Sequence, residues 1–231
     1  PIGSKTIIEH AIETCMAGGI KDYLIIVSPD QGQQVKDHLG SGEKLGIRID
    51  YEVQKEQKGL GHAVLHARDW VGDEHFVVVY GDTYIKPPAF MRELLDLHYR
   101  HDSAVTLALN KTADLSGSAV RLDEAGKVLE MIEKPTEEEV VRFRYNGQVN
   151  NISGLEALSP AIFGYIEKTP PGKKGEIQIT DAFEAMRRGG RPVYGILING
   201  TRFDVGTFEN LERAREFERS IEPGYRKKLT Y

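Results

Sequence analysis

The residues best placed to do chemistry in this chain are two acids that each end a short apolar run. Phe76-Val77-Val78-Val79-Tyr80 reads as a buried parallel strand, and it stops at Gly81-Asp82. In α/β folds, ligands bind in the crevice beyond the carboxyl ends of the strands. Asp82 is therefore expected in that crevice, as an acid on rigid support. Phe203-Asp204-Val205-Gly206-Thr207 repeats the setting near the C-terminus. Two carboxylates at two strand ends point to a divalent cation, and a hard cation with oxygen ligands points to phosphate chemistry.

Three further stretches could join them. Gln54 to Ala63, with Gly59 and Gly61, links a strand to a helix. Its glycines permit close backbone approach, and the helix start attracts anions or polar rings; a plain βα loop has the same composition. Glu133-Lys134-Pro135 ends a strand, because Pro135 has no N–H to donate. A lysine fixed there can hold a phosphate as a point charge, although an ordinary surface turn reads alike. Gly175 lets a loop turn and present Glu176, whose carboxylate could accept hydrogen bonds from sugar hydroxyls. The alternative is a simple capped helix start at Thr180 or Asp181. Cysteine–histidine metal spacing, a P-loop lysine motif and a nucleophile elbow are all absent from the sequence.

The elements that must position these residues alternate. Helical periodicity covers 6–17, stopped by Gly18-Gly19, with Cys15 on its apolar stripe as core packing. Strands follow at 23–27 and 47–53, separated by a helix that ends near Leu39-Gly40. A helix at 60–67 precedes the 76–80 strand. Pro87-Pro88 opens a helix reaching His101, and 104–109 is another buried strand. This alternation predicts an α/β fold with a doubly wound, mostly parallel, Rossmann-like sheet. The pattern changes at Ser118, where two strand-like runs flank Asp123-Glu124-Ala125-Gly126, a hairpin signal. A helix at 136–141, a strand at 150–158, helices at 160–166 and 179–188, a strand at 193–198 and a helix at 208–220 complete the chain. The hairpin region, about 117–175, reads as a small β-rich lobe inserted into a single domain.

The sequence has 231 residues, a net charge of -5 and 40% hydrophobic residues. That suits a globular protein and does not favour a nucleic-acid partner. No apolar run is long enough to span a bilayer. The single cysteine allows no internal disulfide, and a cytoplasmic location is expected.

Taken in order, these stretches resemble the sugar-phosphate nucleotidyltransferase family, which includes glucose-1-phosphate uridylyl- and thymidylyltransferases. The opening Pro1 to Glu9 is similar to the segment after that family's signature loop. Lys58 to Val64 resembles its base-recognition loop, Gly81-Asp82 its metal-binding pair and Glu133-Lys134-Pro135 its sugar-phosphate motif. Asn151 to Ser159 resembles its sugar-pocket strand, Gly175 to Asp181 its sugar loop, and Asp204 to Thr207 its second metal aspartate. The resemblance implies that a hexose 1-phosphate, with glucose 1-phosphate first, is joined to UTP or dTTP with release of pyrophosphate. It implies that Asp82 and Asp204 hold Mg²⁺ and Lys134 holds the sugar phosphate. Glu133 and Glu176 would take sugar hydroxyls, Gly154 would let the sugar approach, and Gln54, Gly59, Leu60 and Gly81 would bind the nucleotide. Self-association is also expected.

Two departures stand out. The family's opening strand and glycine-rich loop, with its arginine and lysine, have no counterpart in the sequence. The sheet is therefore expected to carry a central gap, and a longer natural chain is expected upstream of Pro1. Gly154-Leu155-Glu156 also places an acid where the family usually has an aromatic, which leaves sugar choice open there. The missing loop keeps a non-catalytic nucleotide-sugar-binding subunit as an alternative. A glycosyltransferase is the remaining one, with the Gly175 to Asp181 loop and the second aspartate against it.

Overall fold

Thr6 starts the first helix by a reciprocal cap: its side chain accepts from the Glu9 N–H, and the Glu9 carboxylate accepts from the Thr6 N–H at 2.7 Å. The computed structural model describes residues 1–172 and 175–221. Along the chain it shows α1 (Ile7–Ala17), β1 (Asp22–Val27), α2 (Gly32–Leu39), β2 (Arg48–Val53), α3 (Leu60–Leu65), α4 (Arg68–Val71) and β3 (Phe76–Val79). Then come β4 (Thr83–Lys86), α5 (Phe90–Arg100), β5 (Val105–Thr112), β6 (Ser118–Leu122), β7 (Val128–Glu133) and β8 (Val149–Leu158). The last elements are α6 (Ile162–Ile166), α7 (Ile179–Arg188), β9 (Val193–Leu197), β10 (Thr201–Asp204) and α8 (Phe208–Ile221).

The α/β class holds, but the sheet is mixed. β5 runs parallel to β9, whereas β8 is antiparallel to β3, β5 and β6. β8 is the reason. One of its edges pairs with β5 along most of its length. The other is shared: Leu155 to Leu158 pair with β3, and Asn150 pairs with Val120 of β6. The ladder slips between Leu107 and Leu109, opposite Ser153, Gly154 and Leu155. The sheet therefore forks at that point, into the β3 arm and the β6–β7 hairpin.

Helices cover both faces. α5 packs Phe90, Met91 and Leu94 against Ala108, Leu155 and Ala157. α6 and α7 pack Ile162, Phe163 and Phe183 against Leu107, Leu109 and Leu158. That is the period-two alternation of a strand buried on both faces. The hairpin carries its own small core of Ala119, Val140, Phe143 and Val149. The 136–141 stretch, expected as a helix, is a 3₁₀ turn at Glu139–Phe143 entered through a Thr136–Glu139 capping exchange.

β1 and β2 form a separate parallel pair. Among the described residues no strand pairs with the second edge of β1 or of β3. A trench of about 1730 Å³, lined by β1, β3 and the α1 residues Ile8, Ile12 and Cys15, lies there. Cys15 is buried and its thiol is pushed up to about 12 by burial, which leaves it inert.

Candidate active site

The fork in β8 brings the candidate residues together. Asp82 follows the end of β3, and the chain turns directly into β4. β4 pairs antiparallel with β10, and Thr83 lies opposite Asp204. The Val205 N–H donates to the Asp82 carbonyl at 2.9 Å. A Cβ placed on Gly206 would lie 3.1 Å from Asp204 Oδ1 and 3.4 Å from Asp82 Oδ2. Both carboxylates thus crowd the space that glycine leaves open. Burial and then the Asp204 charge hold the Asp82 carboxyl above its usual range, while Arg202 pulls it back. Arg202 lies one pleat from Asp204 on β10, its guanidinium 3.4 Å from Asp204 Oδ2.

Two repelling carboxylates with only oxygen donors fit a hard divalent cation. Among the described residues no group of three or more His, Cys, Asp or Glu converges as a cage.

Tyr80 occupies the centre. Burial, followed by the charges of Glu156, Glu133 and Asp82, drives its hydroxyl far above the ordinary range. Its ring explains Gly154, which has φ +77°. A Cβ there would meet the Thr83 hydroxyl and lie 2.9 Å from Tyr80 Cδ2. The absent side chain at 154 makes room for Tyr80 and Thr83.

On the hairpin side, Glu133 ends β7 opposite Ser118. Burial raises its carboxyl, the Thr180 side chain and Lys134 lower it, and Asp181 raises it again. Lys134 has φ +47°, a left-handed conformation that is costly for a side-chain-bearing residue. Its N–H donates to the Gly117 carbonyl at 2.9 Å, which pins the exposed side chain at the strand end.

The glycine loop and the sugar loop are stitched to each other. The Ile177 N–H donates to the Lys58 carbonyl at 2.8 Å, and the Gly61 N–H to the Ile177 carbonyl at 2.9 Å. A Cβ on Gly59 would lie 2.9 Å from that carbonyl and 3.0 Å from Glu176 Cβ, so the crossing needs both glycines. Gly175 turns with φ +74° and leaves Glu176 half-buried, accepting from Gln178 Nε2 at 3.0 Å. Gln54 Nε2 donates to the Gly59 carbonyl at 3.3 Å and lies 3.0 Å from His62 Nδ1. Its amide nitrogen thus braces the loop. Leu60 packs in part against the main core and also lines the trench.

All ten sequence-derived candidates therefore fall in one contiguous region, from Gln54 through Gly59 and Glu176 to Glu133, and through Tyr80 to Asp82 and Asp204. Sequence reasoning missed Tyr80, Arg202 and the role of Glu156. The signals were available for two of them. Tyr80 is the last residue before Gly81, and Arg202 lies two residues before Asp204, on the same face of a strand.

An α/β sheet whose strand ends carry paired carboxylates, flanked by a pinned lysine and a glycine loop, is an architecture for handling phosphorylated ligands. The family model described as "Nucleotidyl transferase" matches residues 1–220. A low-salt glycan biosynthesis nucleotidyltransferase from Haloferax volcanii is 29% identical over 94% of this chain, which spans 58% of that protein. A putative UTP–glucose-1-phosphate uridylyltransferase from Methanocaldococcus jannaschii is 30% identical, covering 89% of this chain and 79% of its own. The crystal structure of a putative glucose-1-phosphate thymidylyltransferase from Bacillus anthracis superposes with a TM-score of 0.82 at 25% identity, covering 97% of this chain and 87% of that one. The chain belongs to the sugar-phosphate nucleotidyltransferase family. No described helix is long and apolar enough to cross a membrane.

Proposed function

We propose that this protein joins a hexose 1-phosphate, glucose 1-phosphate first, to UTP or dTTP and releases pyrophosphate. The observation that carries the reading is the convergence of Asp82 and Asp204 on Gly206. The relatives named for uridylyl and thymidylyl transfer support the two nucleotides. The reaction is an attack by a sugar-phosphate oxygen on the α-phosphate, and it needs in-line positioning and charge neutralisation more than covalent chemistry.

In this reading, Asp82 and Asp204 hold Mg²⁺. The bound cation supplies neutralisation of phosphate charge. Lys134, pinned at its strand end, holds the sugar phosphate as a point charge. Glu133 and Glu176 accept from sugar hydroxyls. The backbone of Gly59, Leu60 and Gly81 receives the nucleotide, on a loop that Gln54 braces. Residues 117–175 act as the sugar-binding lobe, and the reaction takes place in the cytoplasm.

Pyrophosphate release by the full-length protein, across a panel of nucleoside triphosphates and sugar 1-phosphates, tests this. Turnover with a hexose 1-phosphate and UTP or dTTP is the expected result. Nucleotide-sugar binding without any turnover would replace it with the non-catalytic reading.

A further inference from the structure

Glu156 is the one acid at the fork that the proposed reaction leaves without a task. It sits in mid-sheet, opposite Val78 of β3 and Leu107 of β5, and is fully buried. Neither of its carboxyl oxygens makes a hydrogen bond of good geometry, and the Tyr80 hydroxyl is the one neighbour that interacts with it directly. A buried carboxyl in that state is costly and calls for an explanation. The groups that face it are few. From the end of β3 comes the Tyr80 hydroxyl, and from β10 the Arg202 guanidinium; each pulls its pKa down against the burial that raises it to about 8. Glu133 and Asp82 act on the same Tyr80.

Arg202 stands between two destinations. Its Nε donates to the Ser153 carbonyl at 3.2 Å, on the strand that carries Glu156, and its terminal nitrogen reaches Asp204. Its charge acts on Asp82 as well as on Glu156. A divalent cation taken by Asp82 and Asp204 turns that guanidinium into a like-charged neighbour. It then needs another acceptor, and Glu156 lies in its field, contacted otherwise only by the Tyr80 hydroxyl and able to ionise as the guanidinium arrives.

We propose that Glu156 is a positioning residue that receives the Arg202 guanidinium when a divalent cation occupies the Asp82–Asp204 pair. Glu156 touches neither the cation nor the substrate. It lowers the cost of moving Arg202 off Asp204. This inference rests on the reading that Asp82 and Asp204 hold the cation.

Mn²⁺ is the probe, with its binding to the full-length protein near neutral pH followed by the electron paramagnetic resonance of free Mn²⁺. Glu156→Gln keeps the shape but cannot release a proton to become an anionic acceptor, and should weaken Mn²⁺ binding by roughly tenfold, in the range of couplings within one network. Adding Arg202→Met to that variant removes the competing guanidinium and should restore binding to the wild-type level. Arg202→Met alone should bind at least as tightly as wild type. Unchanged binding in Glu156→Gln overturns the inference, and so does a double variant as weak as Glu156→Gln. A wild-type protein that takes up no Mn²⁺ overturns the cation reading itself. Circular dichroism on each variant separates these results from loss of fold.

Discussion

Glu156→Gln should change how stability depends on pH, and the size of the effect follows from where the carboxyl lies. Burial raises it from an ordinary 4.5 to about 8. Below pH 4.5 folded and unfolded chains both hold the proton. Between 4.5 and about 8 the unfolded chain releases it and the folded one keeps it, so the folded state binds more protons and stability falls as pH rises. The slope for one group is about 1.4 kcal/mol per pH unit. Integrated from pH 5 to pH 7, this group alone removes about 2.5 kcal/mol of stability. A glutamine of the same shape does not titrate. The measurement is denaturant unfolding of wild type and Glu156→Gln at pH 5, 6 and 7 in metal-free buffer, with the slope against denaturant held common. Other raised carboxyls, such as Asp82, Glu133 and Asp181, titrate in both proteins and cancel in the difference. The variant should gain about 2.5 kcal/mol relative to wild type across this interval. Parallel curves would refute the reasoning, because they would mean that Glu156 ionises in the folded protein as it does in water.

Four other outcomes follow from the site. Asp82→Asn should cut pyrophosphate release by roughly 10²- to 10³-fold with an unchanged circular dichroism spectrum; near-normal turnover would remove Asp82 from the metal site. Gly154→Ala should destabilise by about 2–4 kcal/mol in denaturant unfolding, since its Cβ strikes Thr83 and Tyr80 at a positive φ. Lys134→Ala should raise the KM for the sugar phosphate by about tenfold, while Lys134→Gly, free at φ +47°, should be about 1 kcal/mol more stable than the alanine variant with the same KM defect. Gly61→Ala should raise the KM for the nucleotide, because its Cβ would lie 2.7 Å from Ile177 Cγ2 and 2.9 Å from the Ile177 carbonyl; an unchanged KM would separate that crossing from nucleotide binding.

Much of the fold was legible because local signals agreed. Thr6, Glu9 and Gly18 bracket α1, and α7 spans the residues that periodicity marked. The mixed sheet was not legible. β8 is a continuous run of ten residues, and nothing in its pattern tells that Leu155 to Leu158 serve β3 while Asn150 serves β6. β4 was missed and β10 was read only as a strand end at Asp204, because each has four residues, too few for a period-two signal, and they meet across more than a hundred positions. The same distance hid the crossing of Lys58–Gly61 with Ile177. Asp82 and Asp204 were readable because each acid directly follows or ends an apolar run. Glu156 was visible as an acid where the resembled family usually has an aromatic; its full burial belongs to tertiary structure alone.

The central claim is that the strand-end acids serve nucleotidyl transfer to a sugar phosphate. Continuous pyrophosphate detection on the full-length protein, supplied with glucose 1-phosphate, Mg²⁺ and either UTP or dTTP, tests it most directly. The account predicts pyrophosphate equimolar with nucleotide sugar, abolished by chelator and cut by roughly 10²- to 10³-fold in Asp82→Asn. No pyrophosphate from any sugar 1-phosphate and nucleoside triphosphate pair, in protein that still binds nucleotide sugar, would contradict it.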